Sequence, residues 1–290
     1  MVREKSILVL NPGSTSTKIA LYKGDKCLML ENLVHPIEEI GRYEEVYYQK
    51  VMRERMIKQW LTEKGVAEEQ LDAVVGRGGL LRSMPGGTYV VTEPMIADLK
   101  LGNGNHASNL GGIIAYDIAA PLNIPAYIVD PVSVDEFLQE ARVSGIPEIT
   151  RTSLVHALNI KATIRKVCSK LNMDICQSSF VVAHLGGGIS IAPVKNGRIL
   201  DANNANMGGP FSPERTGTLP AGDLVRLCFS GDYDEKEIMK RINKRGGLLG
   251  YLGTNDGRIV AEKIEKGDME AELVYKAMAY QIGKEIAAMA

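Results

Sequence analysis

The N-terminal residues alternate short apolar runs with polar turns. Residues 7–10 (Ile-Leu-Val-Leu) form a continuous apolar run stopped by Asn11, and Asn11-Pro12-Gly13-Ser14-Thr15-Ser16 reads as a turn by composition. Residues 18–22 predict a second strand, and Lys23-Gly24-Asp25 a hairpin turn into a third over 27–30. Residues 180–203 repeat this grammar. Residues 180–183 are apolar, His184 is polar, Gly186-Gly187-Gly188 is the turn, 189–194 is a strand, Lys195-Asn196-Gly197 turns again, and 198–201 is the third strand. The register also repeats: Asn11 to Gly24 and His184 to Gly197 are each thirteen positions apart. One hairpin with a Gly-rich turn is commonplace. Two with matched spacing predict a duplicated fold, with a cleft between the halves where ligands tend to bind.

The intervening sequence is mixed helix and strand. Residues 44–64 carry Val46, Val51, Met52, Met56, Trp60 and Leu61 at helical spacing and end before Gly65. Residues 111–120 predict a helix, and 124–129 a buried strand closed by Asp130. Residues 153–171 predict a long amphipathic helix capped by Thr152 or Ser153. Further helices are expected over 234–243, 258–266 and 269–290. The division between halves is expected near Arg151, giving domains 1–150 and 151–290.

Composition narrows the possibilities. With 34 basic and 35 acidic side chains in 290 residues the net charge is -1, so nothing calls for nucleic acid. No apolar stretch approaches the ~20 residues of a membrane span, and the run at 7–10 is too short for a signal peptide. Cys27, Cys168, Cys176 and Cys228 show no zinc spacing, and reduced, mostly buried thiols in a cytoplasmic protein are expected.

The first turn joins two strands and lacks GxxxxGK[ST], so it is neither a Walker loop nor a dinucleotide fingerprint. It nevertheless places hydroxyls and Lys18 around Gly13, Ser14, Thr15 and Ser16, and a turn's backbone N–H groups can form an anion nest. Most Ser/Thr-rich turns are only turns. The second, His184-Leu185-Gly186-Gly187-Gly188, carries more glycine than a scaffold turn needs. Two such loops are suited to holding a polyphosphate.

The segments 11–18 and 184–190 resemble the two phosphate motifs of the acetate kinase family, within the superfamily of sugar kinases, Hsp70 and actin. The stretch from Asn203-Asn204-Ala205-Asn206-Met207-Gly208-Gly209-Pro210 through Glu214-Arg215-Thr216-Gly217-Thr218-Leu219-Pro220, with Val75-Gly76-Arg77-Gly78-Gly79-Leu80, is similar to the butyrate kinase branch of that family. The resemblance implies an α/β fold of two duplicated actin-like (ribonuclease H-like) domains flanking a nucleotide cleft. It further implies Mg²⁺-dependent, in-line phosphoryl transfer between ATP/ADP and butyrate or a branched short-chain acid. It suggests a homo-oligomer, while charge and apolar patterning lead us to expect no nucleic-acid or membrane partner. The family's adenine-binding segment and late metal-site glutamate are expected beyond residue 290, so the second domain is expected to be incomplete. Acetate or propionate as acceptor, and an actin-like regulatory protein without turnover, remain open.

Joining two anions calls for positive charge and positioning. Arg77, in what reads as a Gly-flanked turn after the strand ending at Val75, and Arg215, in the Pro/Gly-rich loop, stand apart from ordinary surface arginines. By resemblance both contact the transferring phosphoryl group and the carboxylate. Asp130 reads as a turn cap or, by resemblance, an orienter of an arginine or of Mg²⁺-bound water. Asn11 approaches the metal–phosphate unit or makes an Asx turn. His184 is expected to face the phosphates, His106 to line the acid pocket, and His156 or the trio Arg151-Thr152-Ser153 to contact the phosphoryl group. His35 belongs to no motif.

Overall fold

Strands β1 (Ser6–Pro12), β2 (Ser16–Lys23) and β3 (Lys26–Val34) form an antiparallel meander, as the alternation of apolar runs and turns predicts. The computed structural model describes residues 3–101 and 106–290. Strands β4 (Ala73–Arg77), β5 (Thr88–Val90) and β6 (Ala126–Val129) extend the meander into a six-stranded sheet of order β3-β2-β1-β4-β6-β5. β1, β4 and β6 are parallel, so their C-terminal ends share one edge. The short β5 pairs antiparallel with β6 at the sheet's margin.

The core of this unit gathers Leu8, Leu10, Ile19, Val74 and Ile128 from the strands with Ile57, Trp60, Leu61, Leu110, Ile114 and Ile118 from two helices. Each such side chain contributes about 1.5–3 kcal/mol by leaving water. Helix Asn109–Ala119 lies very close to β4. A Cβ on Gly76 would overlap the Gly111 carbonyl, and one on Gly111 would overlap the Arg77 carbonyl. The glycines around Arg77 therefore serve backbone-to-backbone packing. Arg77 itself is the last residue of β4, so the Gly-flanked turn expected there is a strand end.

The meander recurs as β7 (Ser179–Leu185), β8 (Ile189–Lys195) and β9 (Arg198–Ile199). A buried ion pair supports its second turn: Lys161 Nζ meets Glu136 Oε1 at 2.9 Å and donates to the Gly197 carbonyl at 3.0 Å. The helical part packs Phe211, Leu248, Leu252, Val260, Ala271 and Val274 together. The chain divides into compact units Met1–Val134 and Asp135–Ala290. The N–H of Leu138 bonds the Leu200 carbonyl and Glu136 accepts from Ile199 N–H, tying the segment after Val134 to the second meander.

Several local expectations shift. The first turn is shorter than residues 11–16, because β1 continues through Pro12 and Gly13 N–H closes the hairpin on the Ser16 carbonyl at 2.7 Å. The helix predicted over 44–64 is a 3₁₀ turn, Val46–Gln49, followed by an α-helix, Lys50–Glu63. The helix predicted from Ser153 begins at Ala157, with His156 in the N-cap position and no capping side chain. Cys168 alone of the four free thiols is buried; Cys27, Cys176 and Cys228 are exposed.

Candidate functional site

The first unit places candidate residues along the shared edge of its sheet. Asn11 and Lys18 are directly opposed across β1 and β2, so their side chains stand on one face. On the other side of β1, Arg77 donates from Nη1 to Asn11 Oδ1 at 3.2 Å. Pairing of Arg77 with Val129 brings Asp130, the next residue along from β6, to the same edge. Lys18, Asn11 and Arg77 thus follow one another across three neighbouring strands, with Asp130 just past the end of a fourth. Lys18 and Asn11 are exposed and Arg77 is half-buried. Desolvation lowers the Arg77 pKa from its ordinary value, yet a guanidinium keeps its proton at neutral pH.

Asp130 is buried, at 1% exposure, and holds a left-handed backbone with φ 40°. Its Oδ1 accepts from Gly87 N–H at 2.8 Å, and its own N–H donates to the Gly87 carbonyl at 2.9 Å. That double tie fixes the strand end. A non-glycine residue at positive φ is unusual and marks a position that the surroundings over-determine.

Behind the hairpin formed by β1 and β2 lies a network with no counterpart in the sequence reading. Arg53, 0% exposed, donates from Nη1 to the Ser16 carbonyl at 3.2 Å and Thr17 Oγ1 at 3.1 Å, and from Nη2 to the Ser14 carbonyl at 3.2 Å. Gln49 Oε1 accepts from its Nη2 at 2.8 Å. Thr17 Oγ1 lies 2.8 Å from His35 Nε2, and His35 Nδ1 lies 3.2 Å from Met56 Sδ. The hydroxyl accepts from Arg53 and so donates to His35, whose other nitrogen carries the proton. Burial, with the Arg53 charge nearby, pushes the His35 pKa down to about 4. His35 N–H also holds the Thr15 carbonyl at 2.9 Å.

The second unit builds its loop differently. A Cβ on Gly188 would overlap Arg215 Nη1, so this glycine makes room for the guanidinium. Arg215 Nη1 donates to the Ala205 carbonyl at 2.6 Å, while its buried Nε has no hydrogen-bond partner among the described residues. Burial lowers the Arg215 pKa, and neighbouring Glu214 partly opposes that shift. Ser212 Oγ donates to the Gly187 carbonyl at 2.6 Å. Asn203 donates to the Ile189 carbonyl and accepts from Ile191 N–H. Residues 203–215 therefore fasten the glycine turn from its own downstream chain. Gly13 and Gly187 differ from Gly188: an added Cβ would meet nothing closer than 3.4 Å and 3.7 Å, so the protein's own packing does not require glycine there. At Gly186 the added Cβ would lie 3.0 Å from His184 Nε2.

His184 and His156 stack with ring centroids 3.9 Å apart and planes within 13°. His184 Nδ1 bonds Asn159 Oδ1 at 3.0 Å, and His156 Nδ1 bonds Ser190 Oγ at 2.9 Å. With its Nδ1 proton directed at Asn159, His184 needs the imidazolium form to donate from Nε2. Arg151 is engaged structurally: Nη1 and Nη2 grip both Asp201 oxygens at 3.2 and 2.8 Å, with further bonds to the Ala141 and Ala202 carbonyls. His106 is exposed and its Nδ1 bonds Ser108 Oγ at 2.7 Å. Its motif neighbours at 104 and 105 lie outside the described residues. Beside the 203–220 loop, a cavity of about 650 Å³ is lined chiefly by Phe211, Leu219, Leu224, Ile238, Tyr251 and Val274.

The comparisons agree with this architecture. The profile of the Acetokinase family matches residues 151–290. A protein of Caldanaerobacter subterraneus subsp. tengcongensis described as probable butyrate kinase 2 is 50% identical over 285 residues, covering 98% of this chain and 80% of that relative. Among solved structures, the acetate kinase of Porphyromonas gingivalis superposes with a TM-score of 0.81 at 22% identity, over 98% of this chain and 79% of that one. A propionate kinase of Francisella tularensis subsp. tularensis gives 0.77 at 21%, over 98% and 80%. With an α/β fold that superposes on those kinases and half its residues shared with that bacterial relative, the chain belongs to the acetokinase family.

Proposed function

We propose that this protein is a short-chain fatty acid kinase that transfers the γ-phosphoryl group of ATP to butyrate, forming butyryl phosphate and ADP reversibly. The row Lys18, Asn11, Arg77 at the sheet edge is the observation that carries this reading. The name of the 50% identical relative supports butyrate as the acid. Acid choice is a matter of pocket shape, in which one methylene is worth only about 1–3 kcal/mol.

In the reaction a carboxylate oxygen attacks the γ-phosphorus in line. The new P–O bond forms as the bond to the β–γ bridging oxygen breaks, and ADP leaves with that electron pair. No proton transfer is required, so the enzyme's task is to hold two anions together and spread their charge. Arg77 is assigned to the carboxylate and Arg215 to the transferring phosphoryl group, since a planar guanidinium fork matches both. Lys18 and the hydroxyls of Ser14, Thr15 and Ser16 would receive phosphate oxygens, as would the amides at Gly187 and Gly188, while the Gly186 N–H closes the turn on the Gly188 carbonyl. At the second loop His156 would donate to the phosphoryl oxygens, and the stacked His184 would do so as the imidazolium. His106 is assigned to the acid.

Magnesium carried by the nucleotide keeps several waters and asks for few protein oxygens. Asn11 Oδ1 and Asp130 Oδ1 already hold Arg77 and the Gly87 amide, which fits contact through water rather than direct ligation. The ion would neutralise phosphate charge. No helix among the described residues is long and apolar enough to cross a membrane. We place the enzyme in the cytoplasm, where ATP is supplied, and expect a homo-oligomer.

The test is a hydroxamate assay with ATP and Mg²⁺ across acetate, propionate, butyrate and isobutyrate. Butyrate is expected to give the highest kcat/KM. Preference for acetate or propionate would move the assignment within the family, and absence of acyl phosphate from all four would overturn it.

A further inference from the structure

Arg53 combines features that rarely occur together. It is 0% exposed, and its hydrogen-bond acceptors are all neutral: two loop carbonyls, the Thr17 hydroxyl and the Gln49 amide oxygen. No carboxylate forms an ion pair with it among the described residues. A buried charge without a counter-charge is costly, and proteins ordinarily pair it. Arg53 also lies directly behind residues 14–16, the turn that would receive an anion, and bonds Thr17 in β2. Lys18, next in sequence, adds a second cation on the exposed side.

The bonds determine how the turn is oriented. Drawing the Ser14 carbonyl onto Nη2 turns the N–H of the following residue, Thr15, the opposite way, because C=O and N–H point in opposite directions across a trans peptide. His35 N–H holds the next carbonyl, that of Thr15, from the same buried layer. A turn whose carbonyls are held from behind presents amides in front, which is how a backbone anion nest is made.

Resting on the kinase reading, the geometry points to Arg53 as a positioning residue for nucleotide phosphate: it fixes the turn at residues 14–16 with the Thr15 and Ser16 amides outward, and its unpaired charge is balanced by the phosphate bound on the other side of the turn. Arg53 does not touch the reacting atoms. It acts through the turn, and its charge makes anion binding and folding of this corner interdependent.

The experiment compares wild type with Arg53→Met and Arg53→Lys, using ADP and inorganic tripolyphosphate as probes. The readouts are ligand-induced change in Tm and separate KM values for ATP and butyrate. In Arg53→Met the Tm rise produced by either probe should largely disappear and KM for ATP should increase about 10- to 100-fold, with KM for butyrate little changed. Arg53→Lys, which keeps the charge and loses the fork, should recover part of the tripolyphosphate response. A purely structural arginine would lower the ligand-free Tm while leaving the ligand-induced rise and KM for ATP at wild-type values, and that result overturns the inference. Should Arg53→Met fail to fold, a wild-type KM for ATP in Arg53→Lys overturns it equally. Wild type that binds both probes but makes no acyl phosphate would sink the kinase reading alone, and the Arg53 effect would still be read from the Tm responses.

Discussion

The two hairpin turns share a strand geometry and differ in what holds them. The turn between β1 and β2 is supported from behind by a helix: Arg53 and Gln49 project from residues distant in sequence, and His35 closes the layer. The turn between β7 and β8 is supported by the chain that follows its own meander, through Ser212, Arg215 and Asn203. In the first, the buried arginine braces and the half-buried Arg77 stands at the edge. In the second, Arg215 lies against the turn itself. The two hairpins therefore share a strand grammar while each is braced by different residues, so corresponding positions need not tolerate the same substitutions.

The sharpest way to break this contrast is to remove the arginines at the two edges. Arg77→Ala and Arg215→Ala are each expected to lower kcat in the hydroxamate assay by about 10²–10³-fold, the usual loss for a transition-state charge donor. Thermal melts should stay cooperative in both. Near-normal turnover in both variants would remove the catalytic assignment.

Glycine substitutions separate the turns next. Gly188→Ala should displace the Arg215 guanidinium and lower kcat by about 10²-fold, a typical cost of misplacing a catalytic group by an ångström. Gly13→Ala would meet only the Ser16 carbonyl, at 3.4 Å, an ordinary contact, so its Tm should match wild type and its penalty should fall on KM for ATP. Equal Tm losses at both positions would mean that the turns are braced alike.

The buried layer behind the first turn should also respond to acid. His35 is neutral when folded, with a pKa near 4, whereas the unfolded chain takes up a proton near 6.5. Its contribution is complete above pH 6.5 and is lost as pH falls toward 4, by about 3 kcal/mol in all. Denaturant titrations of wild type and His35→Gln between pH 7 and 4.5 should show a shallower decline in the variant. Parallel profiles would indicate that His35 does not titrate in this window.

The smallest expected effect is at Asp130. Asp130→Asn keeps an oxygen for the Gly87 amide and removes the charge, so Tm should hold while kcat falls roughly tenfold, as for other groups that orient a site through a neighbour. Unchanged kcat would reduce Asp130 to a strand-end tie.

Much of this was legible in the residues. The paired meanders, the parallel strand ending near Arg77 and the Asp130 strand end follow from apolar runs and their terminators, which register strongly along a chain. The support behind the first turn was not. In helix Lys50–Glu63 the sequence reading put Val51 and Met52 on the inward face, but Val51 is 68% exposed and Arg53 is buried beside Met52 and Ile57. An arginine is ordinarily read as a solvent position, and only its spacing with Gln49, Ile57 and Trp60 on one helical stripe hints otherwise. The glycines around Arg77 misled for a related reason. Gly76 looks like turn punctuation, whereas it permits contact with Gly111, a partner far along the chain. Nor does any local pattern reveal that the helix starts at Ala157, just after His156, whose ring bonds the Ser190 hydroxyl.

The row of Lys18, Asn11 and Arg77 has one more consequence. Its members sit on adjacent strands, so the interval between them is the strand repeat of about 4.8 Å, set by main-chain hydrogen bonding. The sheet is a ruler whose graduations no side-chain mutation can move. Substitution changes what stands at each mark, and a different acid or nucleotide has to be read at the same pitch.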